Sequence, residues 1–265
     1  MGHDWELLEG AEKRMFKAIK HLVVRYGHDQ LDLPPITFIN RWVKLPSKAR
    51  KVYDEVEKEF VYQWHDGEID AANAAVASGK LRQIANGGVF LTDKKDEKKW
   101  KWVHDAKCEE LCDLLEELNG EPALIAFEFK HDIERFRRYA RKHAPQFAKA
   151  PYIAGGVSDK EASRYESLWE DGKLPVLFGH PDSVAHGLNL QGKGGIVIYF
   201  ALTWNLENDE QFYQRVWRQG QKRRVLVYRI VARGTVDEIM LAALKYKDRT
   251  QQSLLKAMER KYGLR

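Results

Sequence analysis

The chain has 265 residues, 44% of them hydrophobic and 31% charged, with eight tryptophans and eleven tyrosines, which suits one large or two small folded domains and excludes a disordered chain. Its net charge of +5 is uneven: residues 211–265 hold fourteen Lys/Arg against four Asp/Glu, a local +10, which leaves −5 on residues 1–210. A basic end on an acidic remainder suggests a polyanionic partner, with solvated helix lysines as the plain alternative.

In chain order, residues 4–26 place Leu7, Leu8, Met15, Ile19, Leu22 and Val23 among charges and predict an amphipathic helix. "LDLPP" breaks that pattern, and "ITFINRWVKL" alternates like a strand. Ser47 is placed to cap a second helix, "SKARKVYDEVEKEF". Residues 71–85 form an Ala-rich helix leading into "LRQIANGG". "VFLTDKKDEKKWKWVH" reads as a hairpin whose lysines, Lys94 to Lys101, suit a solvated turn.

From about residue 105 the grammar changes. A helix over 105–119 precedes the apolar run "ALIAFEF", and a basic helix follows over 131–143. "PYIAGG" suits a strand, and Ser158 with Glu161 makes a capping-box pattern for "DKEASRYESLWE". Strands "LPVLFGH", "GIVIYFAL" and "VLVYRIVA" follow, separated by helical segments, and Thr235 with Glu238 is placed to cap a last helix. Continuously apolar strands alternating with helices predict an α/β domain: a parallel sheet with helices on both faces. The expected division is a mostly helical extension with a strand and hairpin over 1–104, then the α/β domain over 105–265. No apolar run approaches the ~18 residues of a membrane span, and "MGHDWELLEG" lacks the apolar segment of a signal peptide, so a cytosolic or nuclear location is expected.

Cys108 and Cys112 lie four apart in a predicted helix, with His104 four residues earlier. A zinc site would need a fourth ligand, and no second Cys/His cluster supplies it, so reduced, partly buried thiols and no metal site are expected.

In open α/β sheets ligands sit at the carboxyl ends of strands. Two segments are placed to work there. "SVAHGLNLQ" follows the strand "PVLFG", with Gly187 opening a short helix whose free N–H groups suit a phosphate. "QFYQRVWRQGQ" belongs to a predicted helix over 207–219, entered from "TWNLEN" and stopped by Gly220. Gln211, Arg215 and Arg218 then share one face by their i, i+4, i+7 spacing, beside a packing stripe of Phe212 and Val216. Both segments are expected along the same sheet edge. On spacing alone, two arginines on a helix are as well explained by a solvated face.

These segments resemble motifs V and VI of superfamily-two helicases, in the form found in Swi/Snf-type DNA translocases, with phage and bacterial members nearest in pattern. "HGLNLQ" matches motif V, "QFYQRVWRQGQ" matches the Q-x-x-x-R-x-x-R-x-G-Q of motif VI, and "ALIAFEF" stands where motif IV belongs. "LRQIANG", "GGVSDKEASRYESLW" and "GTVDEIMLAALKYKDRTQQSLLKAM" follow the pattern too, so the likeness runs from about residue 7 to 260. One departure is Ala185, where related sequences often have Gly before the His-Gly pair.

The resemblance implies a RecA-like fold, with ATP and Mg2+ bound between two such lobes. The first lobe supplies a phosphate loop, G-x-x-x-x-G-K-[ST], and an Asp-Glu motif. Gly-Lys occurs at 79–80, 172–173 and 192–193, never followed by Ser or Thr, and no Asp-Glu has the expected His or Asp two residues on. The residues given therefore look like the second lobe and its leading extension, and ATP hydrolysis is not expected from them alone. The resemblance makes Arg215 and Arg218 arginine fingers aimed at the γ-phosphate, with Gln211 holding the motif at the interface. It assigns double-stranded DNA contact or coupling to His186, Gly187, Asn189 and Gln191, with a capping role open for Asn189. Arg164 is left between an interlobe role and a structural salt bridge, and Trp204 between core packing and the cleft. The partners implied are duplex DNA and an N-terminal lobe in cis or in trans, with no membrane and a monomeric state alone, in the host cytoplasm if the chain is viral. A stand-alone, non-enzymatic duplex-DNA-binding or regulatory module is the alternative, resting on the local +10.

Overall fold

The continuously apolar runs form buried strands in the computed structural model, which describes residues 10–19, 32–65, 71–91, 99–184, 188 and 190–245. The chain divides into two units, Met1–Leu33 and Pro34–Arg265. In the first, α1 (Ala11–Ile19) is the described part of the helix expected over 4–26.

In the second unit six strands make one parallel sheet among the described residues: β1 (Ile36–Val43), β4 (Ala123–Ala126), β5 (Tyr152–Ile153), β6 (Val176–Gly179), β7 (Ile196–Tyr199) and β8 (Val225–Ala232). Their order across the sheet is β1-β8-β7-β4-β6-β5. β4, β6 and β7 are buried at every position, as strands covered on both faces must be. Alternate residues feed two cores. Ile125, Phe178, Ile198 and Ile230 pack with Tyr53 of α2 (Ser47–His65), Ile84 of α3 (Ala71–Asn86), Leu111 of α4 (Ala106–Glu117) and Phe136 of α5 (Lys130–His143). Leu124, Leu177, Val197 and Val227 face the other way, onto Trp169 of α6 (Asp159–Glu170), Val184 of α7 (Pro181–Val184) and Phe212 of α8 (Leu206–Gln214). The last helix among the described residues, α9 (Val236–Lys245), gives Ile239 to the first core and Met240 to the second.

β1 was expected in the leading extension, but it belongs to the main sheet. It pairs in parallel with β8 over its whole length, Phe38 opposite Val227 and Trp42 opposite Val231. The extension thus contributes an edge strand to the α/β layer. The hairpin expected after α3 is present as β2 (Gly88–Phe90) against β3 (Trp100–Trp102), antiparallel; Lys94, Lys95 and Lys98 lie outside the described residues. The Ser158 cap forms as expected, its hydroxyl accepting from the Glu161 N–H at 3.3 Å.

A buried polar network links five segments on the α4 side of the sheet. Lys107 is fully buried and donates to Asp237 at the start of α9 (2.7 Å), to Asn86 Oδ1 at the end of α3 (2.8 Å) and to the Phe200 carbonyl after β7 (3.3 Å). Asn86 passes the chain on to Asp132 (3.2 Å), whose carboxylate also accepts the Phe129 N–H at 2.9 Å and so caps α5. Arg135 reaches the His104 carbonyl at 2.9 Å. Gly87 permits this approach: its φ is +111°, and a Cβ there would lie 2.2 Å from that carbonyl and 2.4 Å from Arg135 Nη2. Cys108 and Cys112 are free, buried thiols beside the network, each pushed up to about 12, mainly by burial.

His104 gives this region a pH dependence. Its Nε2 bonds the Ile84 carbonyl at 2.9 Å while Nδ1 accepts the Ala106 N–H at 3.2 Å. A proton on Nδ1 would destroy that acceptor. Burial, aided by the Arg135 charge, pushes the imidazole from 6.5 down to about 3. The unfolded chain therefore binds the extra proton, so this stability is complete above about pH 6.5 and declines as pH falls toward 3. Urea denaturation is expected to give a falling midpoint from about pH 7 to about pH 4, and His104→Gln is expected to flatten that slope.

Candidate functional site

The chain leaves β6 through His180 into the short α7 and then the 185–191 segment. His186, Gly187 and Asn189, with Ala185, lie outside the described residues. The segment's far end is firmly held. The buried Trp169 donates its Nε1–H to the Leu190 carbonyl at 2.8 Å, and Glu170 accepts the Gly192 N–H at 2.9 Å. Both partners come from the last turn of α6.

α8 starts where the sequence placed it, with the Asn205 side chain accepting the Asn208 N–H at 3.2 Å as N-cap. The Asn208 amide in turn bonds Asp182 of α7. The helix expected over 207–219 stops at Gln214, however. Beyond it the backbone tightens: Arg215 N bonds the Phe212 carbonyl and Val216 N the Tyr213 carbonyl, each three residues back. Arg215 is the C-cap and Arg218 sits in the turn, so the two arginines do not share a helical face. They meet through a folded turn that ends at Gly220, whose φ of +99° follows the helix by six residues instead of closing it.

A second correction concerns the edge. α8 enters from the carboxyl end of β7 and runs back across the sheet. Nine helical residues span about 13 Å, which is about the length of four strand residues. The turn after α8 therefore emerges at the amino ends of the strands. There Trp217 donates to the Pro34 carbonyl (2.8 Å), just before β1, and Gln221 donates to the Gly194 carbonyl (2.9 Å), just before β7. The "TWNLEN" entry lies at the carboxyl edge, beside α7, which follows β6 directly.

In that turn Arg215 Nη1 lies 3.4 Å from the Leu188 carbonyl. Desolvation and the nearby Arg218 charge both pull the Arg215 guanidinium below its ordinary range, although an arginine stays cationic. Two coupled cations, one of them partly desolvated, favour an incoming anion. Gln211 lies on the preceding turn of α8 and donates to Glu207 at 2.9 Å. Gln191 is brought to the same place: its carbonyl accepts from Gln221 at 2.9 Å, and its side-chain oxygen packs against Gly220. The structure therefore gathers Arg215, Arg218, Gln211 and Gln191 around one turn.

Arg164 and Trp204 are not part of that gathering. Arg164 is exposed on α6 and forms no ion pair among the described residues, so the structural salt bridge left open for it is absent there. Trp204 packs against both cores, with its Nε1 buried.

Three contributors carried no assigned role in the sequence. Gln221 ends the quoted motif, so its position was visible but its bonds were not. Trp217 anchors the turn to a residue 183 positions away. Asp209 of α8 pairs with Arg229 of β8 at 2.9 Å inside the sheet–helix layer, and Tyr199 donates to the Asp209 carbonyl at 2.7 Å. Burial pushes the Asp209 carboxyl up despite Arg229 beside it. No local signal links residues 20 apart in a helix and a strand.

Residues 106–220 match the helicase conserved C-terminal domain. The chain is 36% identical over 236 residues to putative protein p41 of Acyrthosiphon pisum secondary endosymbiont phage 1, covering 87% of this chain and 47% of that one. It is 31% identical over 139 residues to the RAD54-like DNA repair and recombination protein of Drosophila ananassae, 52% of this chain and 17% of the relative. The chain thus spans about half the length of the phage relative and about a sixth of the repair protein. Its fold matches the C-terminal part of the Fun30 ATPase domain with a TM-score of 0.65 at 15% identity, over 83% of this chain and 92% of that one. It also matches the Sulfolobus solfataricus SWI2/SNF2 ATPase core in complex with dsDNA, TM-score 0.62 at 21% identity, over 89% of this chain and 50% of that one.

Proposed function

We propose that this chain, whose residues 106–220 match the helicase conserved C-terminal domain and whose fold matches the C-terminal part of the Fun30 ATPase domain, is a C-terminal lobe of the Swi/Snf type that supplies arginine fingers and DNA-backbone contacts to ATP hydrolysis in a cleft completed by a first lobe. The observation that carries this reading is the coupled pair Arg215 and Arg218 in a turn braced against the 188–191 segment. Their planar, permanently charged groups suit the oxygens of a transferring phosphoryl group. ATP with its Mg2+ supplies the phosphoryl-transfer chemistry. Arg215 and Arg218 fit an anion, whereas among the described residues no His/Cys/Asp/Glu cluster is assembled to hold a metal. By the resemblance, the Mg2+ belongs with the phosphate loop of the first lobe. Gln211 orients the approach to the turn, and Asp209–Arg229 fixes α8 to the sheet behind it.

Duplex DNA is assigned to the 186–191 segment, with His186, Gly187 and Asn189 as backbone contacts and Gln191 as the coupling residue, because that segment meets the arginine turn at Leu188 and Gln191. The SWI2/SNF2 core it resembles in fold was seen with dsDNA. Recognition through phosphates makes binding independent of sequence and steeply salt-dependent. The purified chain is expected to bind a duplex at low salt and to lose about tenfold in affinity between about 50 and about 200 mM salt for as few as two phosphate contacts. Fluorescence anisotropy measures this, and an absence of binding at low salt would remove DNA from the account. The local +10 over 211–265 supports a second reading, a non-enzymatic DNA-binding module. Such a module has no use for Arg215 and Arg218 as a pair, so unchanged activity of a two-lobe enzyme on losing both would favour it.

A further inference from the structure

Gln221 is buried, and its side chain touches four pieces of backbone. Its amide donates to the carbonyls of Gln191 and Gly194, both at 2.9 Å, and lies 3.4 Å from that of Val216. Its oxygen accepts the Arg223 N–H at 2.9 Å. A primary amide has two N–H donors, so the two short bonds use both, one going to the end of the 188–191 segment and one to Gly194 just before β7. Its own backbone N–H closes the arginine turn on the Arg218 carbonyl at 3.0 Å. Along the facing segment the carbonyls of Leu188, Leu190 and Gln191 are taken by Arg215, Trp169 and Gln221. Two of those three holds come from the arginine turn. The Trp169 bond ties the segment to α6, and among the bonds between described residues Gln221 and the long Arg215 contact join it to the turn.

We propose that Gln221 is the positioning residue that locks the 188–191 segment to the arginine turn, so that a ligand on one is felt by the other. This rests on the functional reading above for the identity of the ligands, but the lock itself does not. Gln221→Glu keeps the shape, removes both donors and sets a carboxylate against two carbonyls. Gln221→Met keeps the length with no polar atom and no added charge.

Hydrogen exchange on the purified chain tests this with a 20-base-pair duplex as probe. Without DNA, exchange at Gly192, whose N–H is held by Glu170 beside the Gln191 carbonyl, and through 215–221 is expected to rise about tenfold or more in both variants, with β4 and α4 unchanged. With DNA, the wild type is expected to gain protection in both segments, and the variants only at 188–191. Unchanged exchange without DNA would overturn the proposal, as would global unfolding of both variants, which would make Gln221 a determinant of the whole fold. Spread of DNA protection to 215–221 in the variants would also overturn it. If DNA protects neither segment of the wild type, the DNA assignment fails, and the DNA-free comparison still decides the lock.

Discussion

In a two-lobe enzyme containing this chain, Arg215→Ala or Arg218→Ala is expected to lower kcat by about 10³–10⁵-fold, the range for removing an arginine finger from a phosphoryl-transfer site. The guanidinium acts on charge that spreads over the phosphoryl oxygens as the bond to the leaving group loosens, so the loss falls on kcat more than on KM. The turn geometry sharpens the expectation. Arg215 caps α8 and Arg218 follows in a tight turn, so neither replaces the other by a rotamer change. Lysine at either position is expected to rescue little, because a point charge cannot present the planar fork of donors. Single-turnover hydrolysis with saturating duplex DNA measures the effect. A loss below about tenfold in both variants would place the fingers elsewhere.

Lys107→Met is expected to destabilise the fold by about 3–5 kcal/mol, the cost of leaving one member of a buried ion pair without its partner. Lys107 is fully buried, and Asp237 is nearly so. With Lys107 gone, the Asp237 carboxylate keeps, among the described residues, the Ala232 N–H at 2.9 Å. Asn86 Oδ1 and the Phe200 carbonyl lose a donor as well. Urea denaturation followed by circular dichroism reads the loss. Lys107→Met combined with Asp237→Leu is expected to recover part of it, because two apolar groups need no partners. A loss under about 1 kcal/mol for Lys107→Met would show that water reaches the pair.

The parallel sheet was legible because "ALIA", "VLFG" and "IVIY" are apolar at every position, which only a strand covered on both faces requires. Ser158 was legible as a cap because a capping bond is local, and "TWNLEN" was legible as a helix entry although its cap, Asn205, was not named from the sequence. β1 was legible as a strand but not as part of the main sheet. Its alternation describes its own faces, whereas its partner begins at Val225. The arginine turn was legible in composition and not in conformation. Helical periodicity holds through Val216, which is buried beside Phe212, so the spacing continues the helix on paper. What ends the helix is distant: Trp217 takes the Pro34 carbonyl and Gln221 the Gly194 carbonyl. Neither bond has a signature within a few residues. The same holds for Lys107, whose partners come from α3, α9 and the end of β7.

The most direct test of the central claim is ATP hydrolysis by the purified chain, with and without duplex DNA, against the Arg215→Ala/Arg218→Ala double variant. A lobe that supplies fingers to a nucleotide held elsewhere predicts no turnover above the double variant in either condition, and turnover once a nucleotide-holding first lobe is added. DNA-stimulated turnover by the chain alone, lost in the double variant, would contradict it, because the chain would then hold the nucleotide itself.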